Sequence, residues 1–88
     1  MDVPVYAVIG TWPVDGVLDS EQLTHIAETV RQQPGFLRGY WGQETDDLTS
    51  THAVVVLDDE AQAQAMPEGV RAAIPSAQLR VVRVLKDA

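Results

Sequence analysis

Few side chains in this sequence have the chemistry to act on a substrate, and most of them lie in residues 35–58. His52 stands at the start of an apolar run, residues 53–57, where an imidazole can take a phenolic or enolic proton near neutral pH. Tyr40 can donate a hydrogen bond to a carbonyl oxygen, and Arg38 can polarise it. Trp41 offers the aromatic wall that a flat aromatic ligand needs. Trp12 and Tyr6, on one face of an earlier strand, can line the other end of such a cavity. Each residue also has a plainer role: a solvated strand-end His, core or interface aromatics, edge-strand surface groups. Hairpin register decides which of them meet. If Glu44 faces Thr51, Trp41 and Gln43 share a face with His52 and Val54. A one-residue slip puts Tyr40 and Arg38 beside His52 instead.

Other chemical templates fail. Two separated His and no Cys make no transition-metal set, and Asp58-Asp59-Glu60 lacks calcium-loop spacing, so no metal is expected. No phosphate-binding loop is present, because Gly35, Gly39 and Gly42 fall in a strand. Ser20, Ser50 and Ser76 suit helix starts and turns better than nucleophilic roles. A net charge of −7, from 13 acids against 6 Lys and Arg, argues against nucleic acid or an anionic membrane as partner. No apolar run approaches the roughly 20 residues of a membrane helix, and the N-terminus lacks a signal-peptide pattern. The cytoplasm is the expected compartment.

The elements that must position these residues follow from pattern. At 88 residues, 45% hydrophobic and 22% charged, the chain suits one small globular domain spanning 1–88. Residues 3–12 alternate as a strand apolar on both faces, the mark of a central strand. Pro13-Val14-Asp15-Gly16 is a turn. Asp19 is the expected cap of a helix whose Leu23, Ile26, Ala27 and Val30 form one apolar stripe. His25 falls on its polar face, and Pro34-Gly35 ends it. Residues 36–44 form a second strand at the sheet edge, with Gly39 and Gly42 suggesting a bend or bulge. Residues 45–50 read as a loop and 51–58 as a third strand. Asp58-Asp59-Glu60 opens a second helix, which Pro67 is expected to kink or divide. Residues 78–86 make the fourth strand.

Strand, helix, strand, strand, helix, strand is the split βαβ order. The expected class is α+β: a ferredoxin-like βαββαβ fold, with a four-stranded antiparallel sheet and both helices on one face. Two short helices cover only one face, yet strands one, three and four are apolar on both. The uncovered face exceeds the apolar patch a monomer tolerates, so a two-fold homodimer is expected.

This order, with PGFLRGYW after the first helix and HAVVVLDDEAQAQA entering the second, resembles the dimeric α+β barrel superfamily. Within it, the chain is similar to the small antibiotic-biosynthesis-monooxygenase-type proteins. In that group a Pro-Gly-Phe step, here Pro34-Gly35-Phe36, enters the second strand. The resemblance implies a dimeric barrel without a cofactor. It also implies a cofactor-independent monooxygenase-like activity on a small hydrophobic aromatic or enolisable substrate, in a pocket between sheet and helices. On that view His52, Tyr40 and Arg38 carry the chemistry, and Trp41, Trp12 and Tyr6 bind substrate. The haem-degrading branch uses an axial His on the second helix and a strand Asn. Residues 59–74 hold no His and the chain holds no Asn, so this sequence departs from that branch. A non-catalytic homodimer that binds a small apolar ligand or serves as an accessory subunit fits the same residues. So does a stand-alone interaction module.

Overall fold

The structure, a computed structural model, describes residues 3–14 and 20–86. The elements run β1 (Tyr6–Pro13), α1 (Ser20–Arg31), β2 (Phe36–Glu44), β3 (Asp47–Leu57), α2 (Glu60–Ala73) and β4 (Gln78–Arg83). They form one antiparallel sheet in the order β2-β3-β1-β4. This is the expected ferredoxin-like α+β arrangement, with β3 and β1 central and β2 at an edge. The expected cap Asp19 and the Asp15-Gly16 half of the first turn lie outside the described residues.

β1 begins at Tyr6 rather than at residue 3, since Pro4 has no N–H to give a ladder. One further bond, from Val84 N–H to Val5 O (2.8 Å), ties β1 and β4 together beyond their paired ends. β4 stops at Arg83 rather than 86, where its partner strand runs out.

The hairpin is longer than expected. Residues 47–50 belong to β3, not to a loop, and only Thr45-Asp46 turn the chain. Their polarity suggests a loop, but backbone pairing outweighs it: Glu44 faces Asp47, Ser50 faces Pro13, and Val14 N–H bonds Thr49 O (2.9 Å). Asp47 steadies the turn by accepting from the Thr49 hydroxyl and the Thr49 amide (2.8 Å). Those two bonds hold its carboxyl below the ordinary carboxylate value.

α2 runs as one helix through Pro67, so it is not divided into two segments there. The proline is buried, and burial of its apolar ring works against the loss of the hydrogen bond. Asp59 caps the helix: its carboxylate accepts from Gln62 N–H at 2.9 Å.

The core lies between sheet and helices. Tyr6, Val8, Val55, Leu57 and Ala63 form one buried cluster, and Trp12, Ala53 and Ala77 another; Trp41 packs against both. Tyr6 donates its hydroxyl to the Glu60 carboxylate. That bond, then burial and the nearby negative charge, hold the phenol above its ordinary value of 10.0. The sign follows directly. Folding favours the neutral phenol, so its contribution is complete below about pH 10 and is lost as pH rises through the folded value. The stability gap between the parent and Tyr6→Phe should therefore close above about pH 10 in urea melts. A gap constant with pH refutes the linkage.

Candidate functional site

Register sorts the sequence-expected residues onto opposite faces. Trp41 pairs with Ala53, Gly42 with His52, and Tyr40 with Val54, with bulges between Phe36 and Arg38 and between Gly42 and Glu44. Side chains alternate along each strand. Trp41, Ala53 and Val55 therefore face the helices, together with Tyr6, Val8, Gly10 and Trp12 of β1. His52, Val54, Val56 and Tyr40 face away, and so does Arg38. His52 and Trp41 do not share a face.

On the open face His52 is tied down by two neighbours. Its Nδ1 lies 3.2 Å from Thr11 Oγ1, and its Nε2 lies 3.6 Å from a Glu44 carboxylate oxygen. Tyr40 is 61% exposed there and Arg38 is also exposed, so the three expected catalytic residues sit on an uncovered sheet surface.

The helix side contains a cavity of about 490 Å3. Its origin is a matter of side-chain size. A row across the sheet reads Trp41, Ala53, Gly10, Leu79: large at both ends and small in the middle. Above that shallow floor, α2 presents Ala65, Gly69 and Ala73 at helical spacing. α1 packs over β2, while α2 packs over β1, β4 and β3, and no Cα of one helix comes within 8 Å of the other. The space between them stays open where Gly10, Ala53, Ala65, Gly69 and Ala73 contribute little or no side chain.

Both Trp12 and Trp41 line this cavity; Tyr6 lies deeper in the core and does not. The remaining walls are mostly aliphatic, from Ile26 and Val30 of α1, Met66 and Val70 of α2, and Ile74. The polar lining among the described residues is confined to His25, Thr29, Gln33 and Gln62. Gln62 donates its side-chain amide to the Gln33 side-chain oxygen Oε1, linking the segment after α1 to α2. Thr29 donates its hydroxyl to the His25 carbonyl oxygen at 3.0 Å.

His25, Gln33 and Gln62 escape a sequence-based reading of the site. The signal is present for His25: Thr29 and Gln33 follow it at one-turn intervals. It is hidden by the expectation that the Leu23 stripe alone faces inward. No residue of α1 is in fact buried, because the cavity lies beneath it. Among the described residues, no three His, Asp or Glu side chains come together as a metal site, and no helix is long and apolar enough to cross a membrane.

No family model and no curated protein matches the chain. Solved structures do. SnoaB from Streptomyces nogalater, a cofactor-independent oxygenase, superposes with a TM-score of 0.71 at 19% identity, over 94% of this chain and 95% of that one. A heme-degrading protein from Mycobacterium tuberculosis gives 0.72 at 22% identity, over 99% and 98%. The ActVA-Orf6 monooxygenase of Streptomyces coelicolor, in complex with nanaomycin D, gives 0.62 at 24%, over 98% and 91%. The chain thus shares the ferredoxin-like α+β fold of these oxygenase and heme-degrading structures.

Proposed function

We propose that this protein takes a small, flat, hydrophobic aromatic compound into the cavity between sheet and helices and acts on it as a cofactor-independent, monooxygenase-like enzyme. One observation carries the proposal: a cavity of about 490 Å3 walled by two indoles and aliphatic side chains, with few polar groups. Its volume falls within the range of small-molecule sites, and mostly apolar walls with a few polar groups are their usual make-up. Its likeness in fold to SnoaB and ActVA-Orf6 supplies the reaction class. Trp12 and Trp41 are the ligand's walls, and Tyr6 supports the floor from below.

His52, Tyr40 and Arg38 belong on this reading to the seam of a homodimer. Ile9, Val54, Val56 and Val82 make the open face apolar, and Val82 is 39% exposed. A second copy covers that face most simply, by two-fold packing of sheet on sheet. Sedimentation at micromolar concentration should give a dimer; a monomer there overturns the assignment.

The activity test uses anthrone with dissolved dioxygen. Its methylene carbon loses two hydrogens and gains one oxygen atom, and the second oxygen leaves as water. Oxygen uptake above the protein-free rate, with quenching of tryptophan fluorescence, is the expected result. Quenching without uptake makes the protein a binder of aromatic ligands rather than an enzyme. Absence of quenching removes the ligand from the cavity altogether.

A further inference from the structure

Among the described residues that line the cavity, His25 is the sole ionisable side chain. Every other lining group is apolar or a neutral indole, amide or hydroxyl, and the hydroxyl and the two amides each make a hydrogen bond. Thr29 gives its proton to a backbone oxygen, and Gln33 and Gln62 are bonded to each other. The His25 imidazole has no hydrogen-bond partner among the described residues. It stands at the mouth, exposed, where the cavity meets a shallower surface hollow lined by Glu21, Gln22 and Ile26. Glu21 lies one turn before it on α1 and is the one charged group among the described residues of that hollow. Neither α2 nor the sheet adds a charge to the cavity lining.

We infer that His25 is the proton acceptor of this cavity, placed to deprotonate a bound aromatic ligand whose phenolic or enolic hydroxyl points to the mouth. The inference rests on the cavity's proposed role as an aromatic site. The ring system lies against the two indoles, the hydroxyl meets the imidazole, and the proton moves to whichever ring nitrogen is unprotonated. One O–H bond breaks, one N–H bond forms, and the electron pair stays on oxygen as phenolate. The imidazolium then faces the phenolate directly, with no other cation in the lining. An electron-rich phenolate or enolate is also the form of such a compound that dioxygen oxidises most readily, which connects binding to reaction.

The contrasting physical effects make a spectroscopic test. An apolar cavity alone disfavours a phenolate, whereas an imidazolium in contact favours it. The probe is 4-nitro-1-naphthol, whose ionised form is coloured, titrated into the 88-residue protein and its His25→Ala and His25→Gln variants. Tryptophan quenching reports binding, and visible absorbance reports ionisation of the bound probe. We expect all three proteins to bind. The ratio of naphtholate to naphthol in the parent should exceed that in His25→Ala about tenfold, the effect of one opposite charge in contact. His25→Gln, which accepts a hydrogen bond but takes up no proton, should match His25→Ala in colour while retaining affinity for the neutral probe. Equal ratios in all three proteins, with quenching intact, overturn the role of His25 and leave the cavity reading standing. No quenching in any of them overturns both.

Discussion

Trp41→Ala should lower stability by about 3 kcal/mol and remove most affinity for an aromatic ligand. Two roles meet in this one side chain. It packs against both buried clusters, so its loss opens a gap where they join. Truncating a buried aromatic to alanine costs about 3–5 kcal/mol, and the partial exposure of Trp41 places it at the lower end.

The indole is held in place by a neighbour on its own strand. A Cβ on Gly39 would lie 2.7 Å from Trp41 Cη2 and 2.9 Å from Cζ3, so the edge of the indole ring sits against bare backbone. Gly39→Ala should therefore push the indole toward the cavity and weaken ligand binding without deleting any aromatic surface. Urea denaturation with an unchanged m-value separates loss of stability from loss of compactness, and fluorescence titration reads affinity. If Trp41→Ala binds an aromatic probe as tightly as the parent does, the indole is no part of the site.

Gly35→Ala should cost about 3 kcal/mol, although it adds one methyl group. Gly35 has φ +80°, a left-handed conformation that costs a residue with a Cβ about 1–2 kcal/mol. The added carbon would also fall 2.7 Å from Asp59 Cβ and 3.1 Å from the Asp59 backbone nitrogen. Backbone cannot give way there. Asp58 N–H bonds Gly35 O at 2.9 Å, and Asp59 is the cap of α2, so relief at Gly35 disturbs both. Gly42 is the control. A Cβ there meets nothing within 4 Å, and its φ is not positive. Gly42→Ala should stay within about 0.5 kcal/mol of the parent. Equal effects at the two positions in chemical denaturation would sink the account of Gly35.

These glycines show where sequence pattern and structure part company. In the sequence, Gly39 and Gly42 together suggest a bend or bulge. The bulges fall beside them, at Leu37 and Gln43, while Gly39 serves the Trp41 indole. A glycine in a strand signals that something comes close to the backbone, but it does not say what. The same limit applies to Pro67. Its effect on an isolated helix is predictable, whereas its burial depends on elements far away in the chain.

The order of elements, the antiparallel sheet and the one-sided helices were legible without coordinates. So was the two-sided apolarity of β1 and β3. These follow from short-range periodicity, which local residue types set and which packing then uses. The candidate site was legible only in part. Trp12 and Trp41 were identifiable as large aromatics on strands, but the sequence left open whether His52 shares a face with Trp41 or with Tyr40 and Arg38. That depended on a bulge at each end of a long hairpin, and one displaced residue turns every side chain beyond it to the other face. The cavity was not legible at all, since it is the volume left when Gly10 of β1, Ala53 of β3 and Ala65, Gly69 and Ala73 of α2 meet. His25 owes its place to that same shortfall of packing: it stands at the mouth because α1 and α2 are held apart. Local sequence determined what each element is; the summed volumes of side chains from distant elements decided where a ligand has room.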